Sequence, residues 1–368
     1  MVDGCFDTNQ ITKKPKPKQP LKMDINDLVR ENIKNLKPYS TARDEFKGQA
    51  SVFLDANENS YGSPLPANYN RYPDPLQLDL KDAISKIKGV PIENTFLGNG
   101  SDEAIDLLYR AFCNPGKDNV IVLPPTYGMY EVSANINDVE IRKVSLLPNF
   151  QLDLEKIAET IDKNTKIIFI CSPNNPTGNS INREDIETIL TNFKGIVVVD
   201  EAYINYARQK TFIQELTEYG NLVVLQTFSK AWGLAALRLG MAFSSRKVID
   251  VLNKIKPPYN INQATQDLAF EAIKNIAQVN DWIRESVAER QRLSIELNAL
   301  NIVIKVYPSD ANFILAEVTD ATKIYDSLVD EGIIVRDRSK VILCEGCLRI
   351  TVGTKEENDK LLTILKNF

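Results

Sequence analysis

Asn221-Leu-Val-Val-Leu-Gln-Thr-Phe-Ser-Lys-Ala-Trp-Gly-Leu-Ala-Ala-Leu-Arg238 is an apolar run that stops in a polar cluster. Leu222 to Leu225 is short, continuously apolar and β-branched at its centre, which reads as a buried strand. The same pattern occurs earlier, in Asn119-Val-Ile-Val-Leu123, Lys166-Ile-Ile-Phe-Ile170 and Ile196-Val-Val-Val199, and again in Leu239-Gly-Met-Ala-Phe243. Helical patterns separate most of these runs. Short strands that are apolar throughout must be covered on both faces, so the pattern predicts an α/β fold with a mainly parallel sheet flanked by helices.

This large unit is expected to span 51–260. From 261 onward two helical stretches come first. Phe313-Ile-Leu-Ala316, Gly332-Ile-Ile-Val335 and Leu348-Arg-Ile-Thr-Val352 follow as strands, then a last helix, which together predict a smaller α+β C-terminal domain. Ile25, Leu28, Val29, Ile33 and Leu36 recur at helical spacing within an N-terminal arm over 23–50, and Pro38 ends that helix. Residues 1–22, with Lys13-Lys-Pro-Lys-Pro-Lys18, are expected to form a disordered tail.

The composition narrows the function. The net charge of −5 argues against nucleic acid or an anionic membrane as a partner. No apolar run is long enough for a membrane helix, and the polar N-terminus carries no secretory signal. Five scattered cysteines suit a reducing cytoplasm rather than a disulfide framework. There is no histidine, which removes every Ser-His or Cys-His mechanism and every histidine metal ligand. Cys344-Glu-Gly-Cys347 lacks the two further ligands a zinc site needs and reads as two thiols around a turn, so no metal is expected.

The polar clusters fall just beyond the strand ends, where open parallel sheets bind ligands. They are Pro124-Pro-Thr-Tyr127, Cys171-Ser-Pro-Asn-Asn-Pro-Thr-Gly178, Asp200-Glu-Ala-Tyr203 and the Lys230 segment. Lys230 lies between Thr227, Ser229 and the later Arg238. An amine, two hydroxyls and a guanidinium suit an aldehyde cofactor bearing a phosphate, namely pyridoxal phosphate, with Lys230 as its Schiff-base partner. Asp200 could pair with a protonated pyridine nitrogen or could cap the segment after it. Asn175 and Tyr203 could donate to the ring's phenolic oxygen, and Tyr127 could stack on the ring. Either tyrosine could equally be packing. Gly98-Asn-Gly-Ser-Asp-Glu103 opens a helical pattern, so the amides of Ser101 and Asp102 could meet a phosphate. Asp102 could instead be an N-cap.

As a set, these residues resemble the fold-type I pyridoxal-phosphate aminotransferases, and more closely the histidinol-phosphate aminotransferase family. Further matching stretches are Asn35-Leu-Lys-Pro-Tyr39, Leu54-Asp-Ala-Asn-Glu-Asn59, Asn70-Arg-Tyr-Pro-Asp74, Ile334-Val-Arg-Asp337 and Cys347-Leu-Arg-Ile-Thr-Val-Gly353. The resemblance implies that Lys230 carries the cofactor and shuttles the proton. It implies that Asp200, Tyr203, Asn175 and Tyr127 hold the ring, and that Ser101, Asp102, Thr227, Ser229 and Arg238 hold the phosphate. Tyr72 would reach that phosphate from the other subunit of a homodimer.

Tyr39, Arg336 and Arg349 would face the substrates, L-histidinol phosphate and 2-oxoglutarate. Histidinol phosphate has no carboxylate, so its phosphate is the anionic handle, and two arginines suit it. For each arginine the alternative is an internal salt bridge, to Asp337 or Glu345. An aromatic aminotransferase or a threonine-phosphate decarboxylase of the same fold is the alternative function.

Overall fold

The structure is a computed structural model, and it describes residues 24–40 and 51–368. The expected tail lies outside the described residues, as does most of the second half of the arm. The fold is α/β, with two sheets. The first has seven strands: β1 (Thr95–Asn99), β2 (Asn119–Val122), β3 (Glu140–Lys143), β4 (Thr165–Cys171), β5 (Ile196–Asp200), β6 (Leu222–Thr227) and β7 (Leu239–Ser244). Their spatial order is β1-β7-β6-β5-β4-β2-β3.

The sheet is buried on both faces, as the apolar runs require. In β4, Ile168 and Ile170 face one core while Ile167 and Phe169 face the other. In β5, Val197 and Val199 alternate in the same way with Ile196 and Val198.

Three features depart from the sequence reading. The run Leu239–Phe243 is a strand, but β7 pairs antiparallel with both β6 and β1. β1 and β3 give no clear apolar signal. Thr95-Phe-Leu-Gly-Asn is interrupted by glycine, and Glu140-Ile-Arg-Lys is an edge strand whose charges suit its exposed position. The N-terminal pattern forms two single turns, Ile25–Leu28 and Glu31–Lys34, not one helix. Arg30 breaks the helix because it serves a neighbour. Its backbone N–H donates to Ala111 O and its Nη1 to Arg110 O, at the carbonyl end of the helix Gly100–Phe112.

The helices Gln263–Ile273 and Ile276–Asn298 lead to the second sheet. It is antiparallel, in the order β10-β11-β9-β8, with β8 at Val303–Val306, β9 at Phe313–Val318, β10 at Arg336–Asp337 and β11 at Cys347–Thr351. Gly332–Val335 was expected as a strand and is not one. Only Arg336 and Asp337 pair, while Val335 is buried in the core under this sheet. Among the described residues, no helix is long and apolar enough to cross a membrane.

Candidate active site

β1, β2, β4, β5 and β6 all end at one edge of the first sheet. β7 runs the other way, so its start lies at that same edge. This places Arg238, just before β7, opposite the end of β6 and its Lys230 segment. Gly100, Ser101, Asp102, Tyr127, Asn175, Asp200, Tyr203, Thr227, Ser229, Lys230 and Arg238 line a single cavity there.

The cavity has a charged, dry end. Asp200 is 2% exposed. Its Oδ2 accepts from Tyr130 Oη at 2.7 Å, and its Oδ1 accepts from the Ala202 N–H at 3.0 Å. The capping alternative therefore holds for one oxygen. Burial pushes the carboxyl up to about 6, opposed mainly by the Tyr130 hydrogen bond. A carboxylate placed this way favours a cation beside it.

The other end is an anion cradle. The helix Gly100–Phe112 begins here with no side-chain cap, so early N–H groups stay open to a ligand. Asp102 is not the N-cap. Its Oδ1 accepts from Tyr127 Oη at 3.1 Å, and its Oδ2 lies 3.6 Å from Arg238 Nη2. Gly100 adopts φ +71°, and Gly240 on β7 packs directly against it. A Cβ on Gly240 would lie 2.2 Å from Gly100 C and Ser101 N. The Thr227 hydroxyl is largely committed to structure, donating to Leu239 O at 3.3 Å and accepting from the Ser229 N–H at 3.0 Å.

Lys230 stands between these ends, with Nζ 5.6 Å from the centre of the Tyr203 ring. Solvent reaches its side chain in this chain alone. Even so, burial and then the Arg349 charge lower its proton affinity, while Asp200 works against them. Tyr203 is buried and packs edge-on to Phe313 at 5.1 Å. Burial raises the Tyr203 phenol well above its ordinary value. A neutral donor, a basic amine, a dry carboxylate and a cationic cradle could together seat a flat ring with a basic nitrogen at one end and a phosphate at the other.

The second sheet touches this site. Arg349 Nη1 donates to Asn175 Oδ1, and its guanidinium lies 5.2 Å from the centre of the Phe313 ring. Arg349 and Arg336 are direct cross-strand partners. Arg336 is exposed, because β10 is an edge strand of two residues. Among the described residues neither arginine forms an ion pair. Asp337 is not within salt-bridge reach, and its Oδ1 accepts from the Ser339 N–H at 2.8 Å.

Neither arginine lines the cavity itself, and two further expected residues are not brought to it in their own chain. Tyr39 is 75% exposed. Tyr72 stacks on Tyr259 at 4.5 Å beside a separate groove. The sequence reading overlooked Tyr130. It is fully buried on the helix Met129–Ile136, three residues after Tyr127, and that helical spacing was the available signal. No group of three or more cysteines and carboxylates that could hold a metal occurs among the described residues. Cys344 and Cys347 are buried free thiols that burial pushes up to about 12.

Residues 55–365 match the family model for aminotransferase class I and II. The histidinol-phosphate aminotransferase of Cytophaga hutchinsonii is 57% identical over 344 residues, covering 94% of this chain and 99% of that protein. The crystal structure of the histidinol-phosphate aminotransferase from Clostridium acetobutylicum superposes with a TM-score of 0.74 at 26% identity, over 81% of this chain and 90% of that one. The Sinorhizobium meliloti histidinol-phosphate aminotransferase, solved in complex with pyridoxal-5'-phosphate, has the same fold. Its TM-score is 0.73 at 23% identity, over 85% of this chain and 89% of that one.

Proposed function

The chain belongs to the class I and II aminotransferases, and we propose that it transfers the amino group of L-histidinol phosphate to 2-oxoglutarate in histidine biosynthesis. It is a pyridoxal-phosphate-dependent transaminase of the histidinol-phosphate type. The observation that carries the residue-level reading is the union at one sheet edge of Lys230, the buried Asp200 and, through Asn175, the Arg336–Arg349 pair.

When bound, pyridoxal phosphate supplies a carbonyl that condenses with amines and a protonated ring that accepts electrons from the substrate C–H bond. Asp200 would pair with the ring nitrogen, where a cation would offset the burial that raises its carboxyl. Tyr130 fixes the direction of that carboxylate. Asn175 would offer its Nδ2 to the ring's phenolic oxygen, because its Oδ1 is occupied by Arg349, and Tyr203 would donate to the same oxygen. Tyr127, which lines the cavity, would cover one face of the ring. Ser101, Asp102, Thr227, Ser229 and Arg238 would hold the cofactor phosphate, joined by Tyr72 from the second subunit of a homodimer.

Lys230 Nζ is the base that takes the proton from the substrate carbon. Burial and the Arg349 charge lower the proton affinity of that amine, which is the direction a base at this position needs. Arg336 and Arg349, with Tyr39, bind the phosphate of the amino donor and then a carboxylate of the acceptor. The proposed setting is cytoplasmic, with no nucleic-acid or membrane partner, in keeping with the net charge of −5.

The deciding experiment adds L-histidinol phosphate to purified yellow protein. The visible absorbance should shift, and 2-oxoglutarate should restore it while forming glutamate. Turnover of phenylalanine or threonine phosphate in preference to histidinol phosphate would sink this reading.

A further inference from the structure

The β10–β11 ladder does not end with its last strand residue. Arg336 pairs with Arg349 and Asp337 with Leu348. Arg338 then donates its backbone N–H to Cys347 O at 2.8 Å, which carries the same register one step further. Pleat alternation therefore puts Arg336, Arg338, Arg349 and Cys347 on one face. The opposite face carries Leu348 and Ile350 into the second sheet's own core. The arginine face looks onto the first sheet: Cys347 packs in that sheet's core, and Arg349 reaches Asn175.

Three guanidinium groups thus share a face that meets the Lys230 cavity through the hydrogen bond from Arg349 to Asn175. Among the described residues none of the three is in an ion pair. The Nε atoms of Arg338 and Arg349 are both buried without a hydrogen-bond partner. After burial, the strongest charge acting on Arg349 is that of Arg338, and the strongest acting on Arg338 is that of Arg336. Like charges opposite one another on a sheet repel, and a buried donor left unpaired is costly. Both conditions are relieved by an anion with several acceptor oxygens.

We propose that Arg338 is a third anion-binding arginine of the substrate site, and that it biases the site toward the phosphate monoester of the amino donor over the carboxylate of the acceptor. The inference rests on the functional reading above, in which Arg336 and Arg349 meet that phosphate. The chemistry gives the direction of the bias. A phosphate monoester carries nearly two charges at neutral pH and presents three acceptor oxygens. A carboxylate carries one charge and two oxygens, which a single bidentate arginine can satisfy. A third guanidinium is used fully by the first ligand and little by the second.

The test compares the wild-type holoenzyme with Arg338→Gln, Arg338→Lys and Arg349→Gln. For Arg338→Gln the KM for L-histidinol phosphate should rise by roughly tenfold or more, the scale of losing one charged contact. The KM for 2-oxoglutarate and kcat should change far less, and the KM for unphosphorylated histidinol should hardly move. Inorganic phosphate, as a competitive inhibitor, should weaken in parallel with histidinol phosphate. Arg338→Lys, which keeps the charge, should recover part of both. Equal changes in KM for donor and acceptor, or a loss of thermal stability with no change in inhibition by inorganic phosphate, would overturn the proposal and make Arg338 structural. If Arg349→Gln also fails to distinguish phosphorylated from unphosphorylated donor, the underlying site reading fails instead.

Discussion

Arg349, on the second sheet, donates a hydrogen bond from Nη1 to the side-chain oxygen of Asn175, on the turn beyond β4 of the first sheet. One bond joins a residue proposed to read the substrate to one proposed to hold the cofactor ring. It also fixes the orientation of the Asn175 amide, leaving Nδ2 as the donor toward the cavity.

Arg336→Ala and Arg349→Ala should each weaken kcat/KM for L-histidinol phosphate by about 2–5 kcal/mol, the range for truncating one partner of a buried charged contact. Arg349 should lie at the upper end, since Arg336 is exposed. Steady-state kinetics with histidinol as comparator checks this. Equal losses on both donors would leave the two arginines without a phosphate-reading role.

Lys230 should be the covalent attachment point of the cofactor. Borohydride reduction followed by peptide mapping should find the pyridoxyl group on Lys230, and Lys230→Ala should bind cofactor without turnover. Recovery of the label on Lys210 or Lys247 would refute the assignment.

Asp200 makes the cofactor-free protein pH-sensitive in a direction that follows from its raised carboxyl. A carboxyl lifted from 3.8 to about 6 favours the protonated form in the folded state. That contribution is complete below the ordinary carboxylate value and is lost as pH rises through about 6. Relative to Asp200→Asn, the cofactor-free wild type should therefore lose on the order of 2 kcal/mol between pH 4 and pH 7. Thermal melts of both proteins across that range measure the difference, and a gap that stays constant with pH would contradict the assignment. Tyr130→Phe, which removes the hydrogen bond to Oδ2, should move the wild-type transition to higher pH.

The proposed homodimer shares its sites. Tyr72 lies outside its own chain's cavity, half-exposed against Tyr259. Mixing Lys230→Ala with Tyr72→Ala subunits should restore part of the activity, because each mixed dimer holds one intact site. Subunit exchange verified by mass spectrometry with no recovery would count against sharing.

The central strands were legible because their burial on both faces leaves an uninterrupted apolar run, as in Ile196 to Val199. Pairing direction was not. Nothing in Leu239-Gly-Met-Ala-Phe243 says that it runs against its neighbours, because direction follows from where the preceding loop returns. β10 was overextended, since Ile333 and Val335 are apolar to fill the core beneath the sheet and not to extend the ladder. The cavity residues were found because their chemistry is unusual at strand ends. Tyr130 escaped because a tyrosine on an amphipathic helix looks like packing until its hydroxyl is seen on Asp200. Arg338 escaped because only the register shows which face it occupies.

Gly240 and Gly100 meet with no room for a methyl group between their backbones. The seat of the anion cradle is thus defined by an atom that is missing. Gly240→Ala would keep every residue proposed to hold the cofactor phosphate and still shift the helix end that carries the Ser101 amide. The expected lesion is one of vitamin economy. Cells relying on this variant should need histidine in ordinary medium and outgrow that need when pyridoxine is plentiful, whereas cells relying on Lys230→Ala should need histidine at any dose. Growth of the Gly240→Ala strain that ignores pyridoxine would show that the contact serves folding alone.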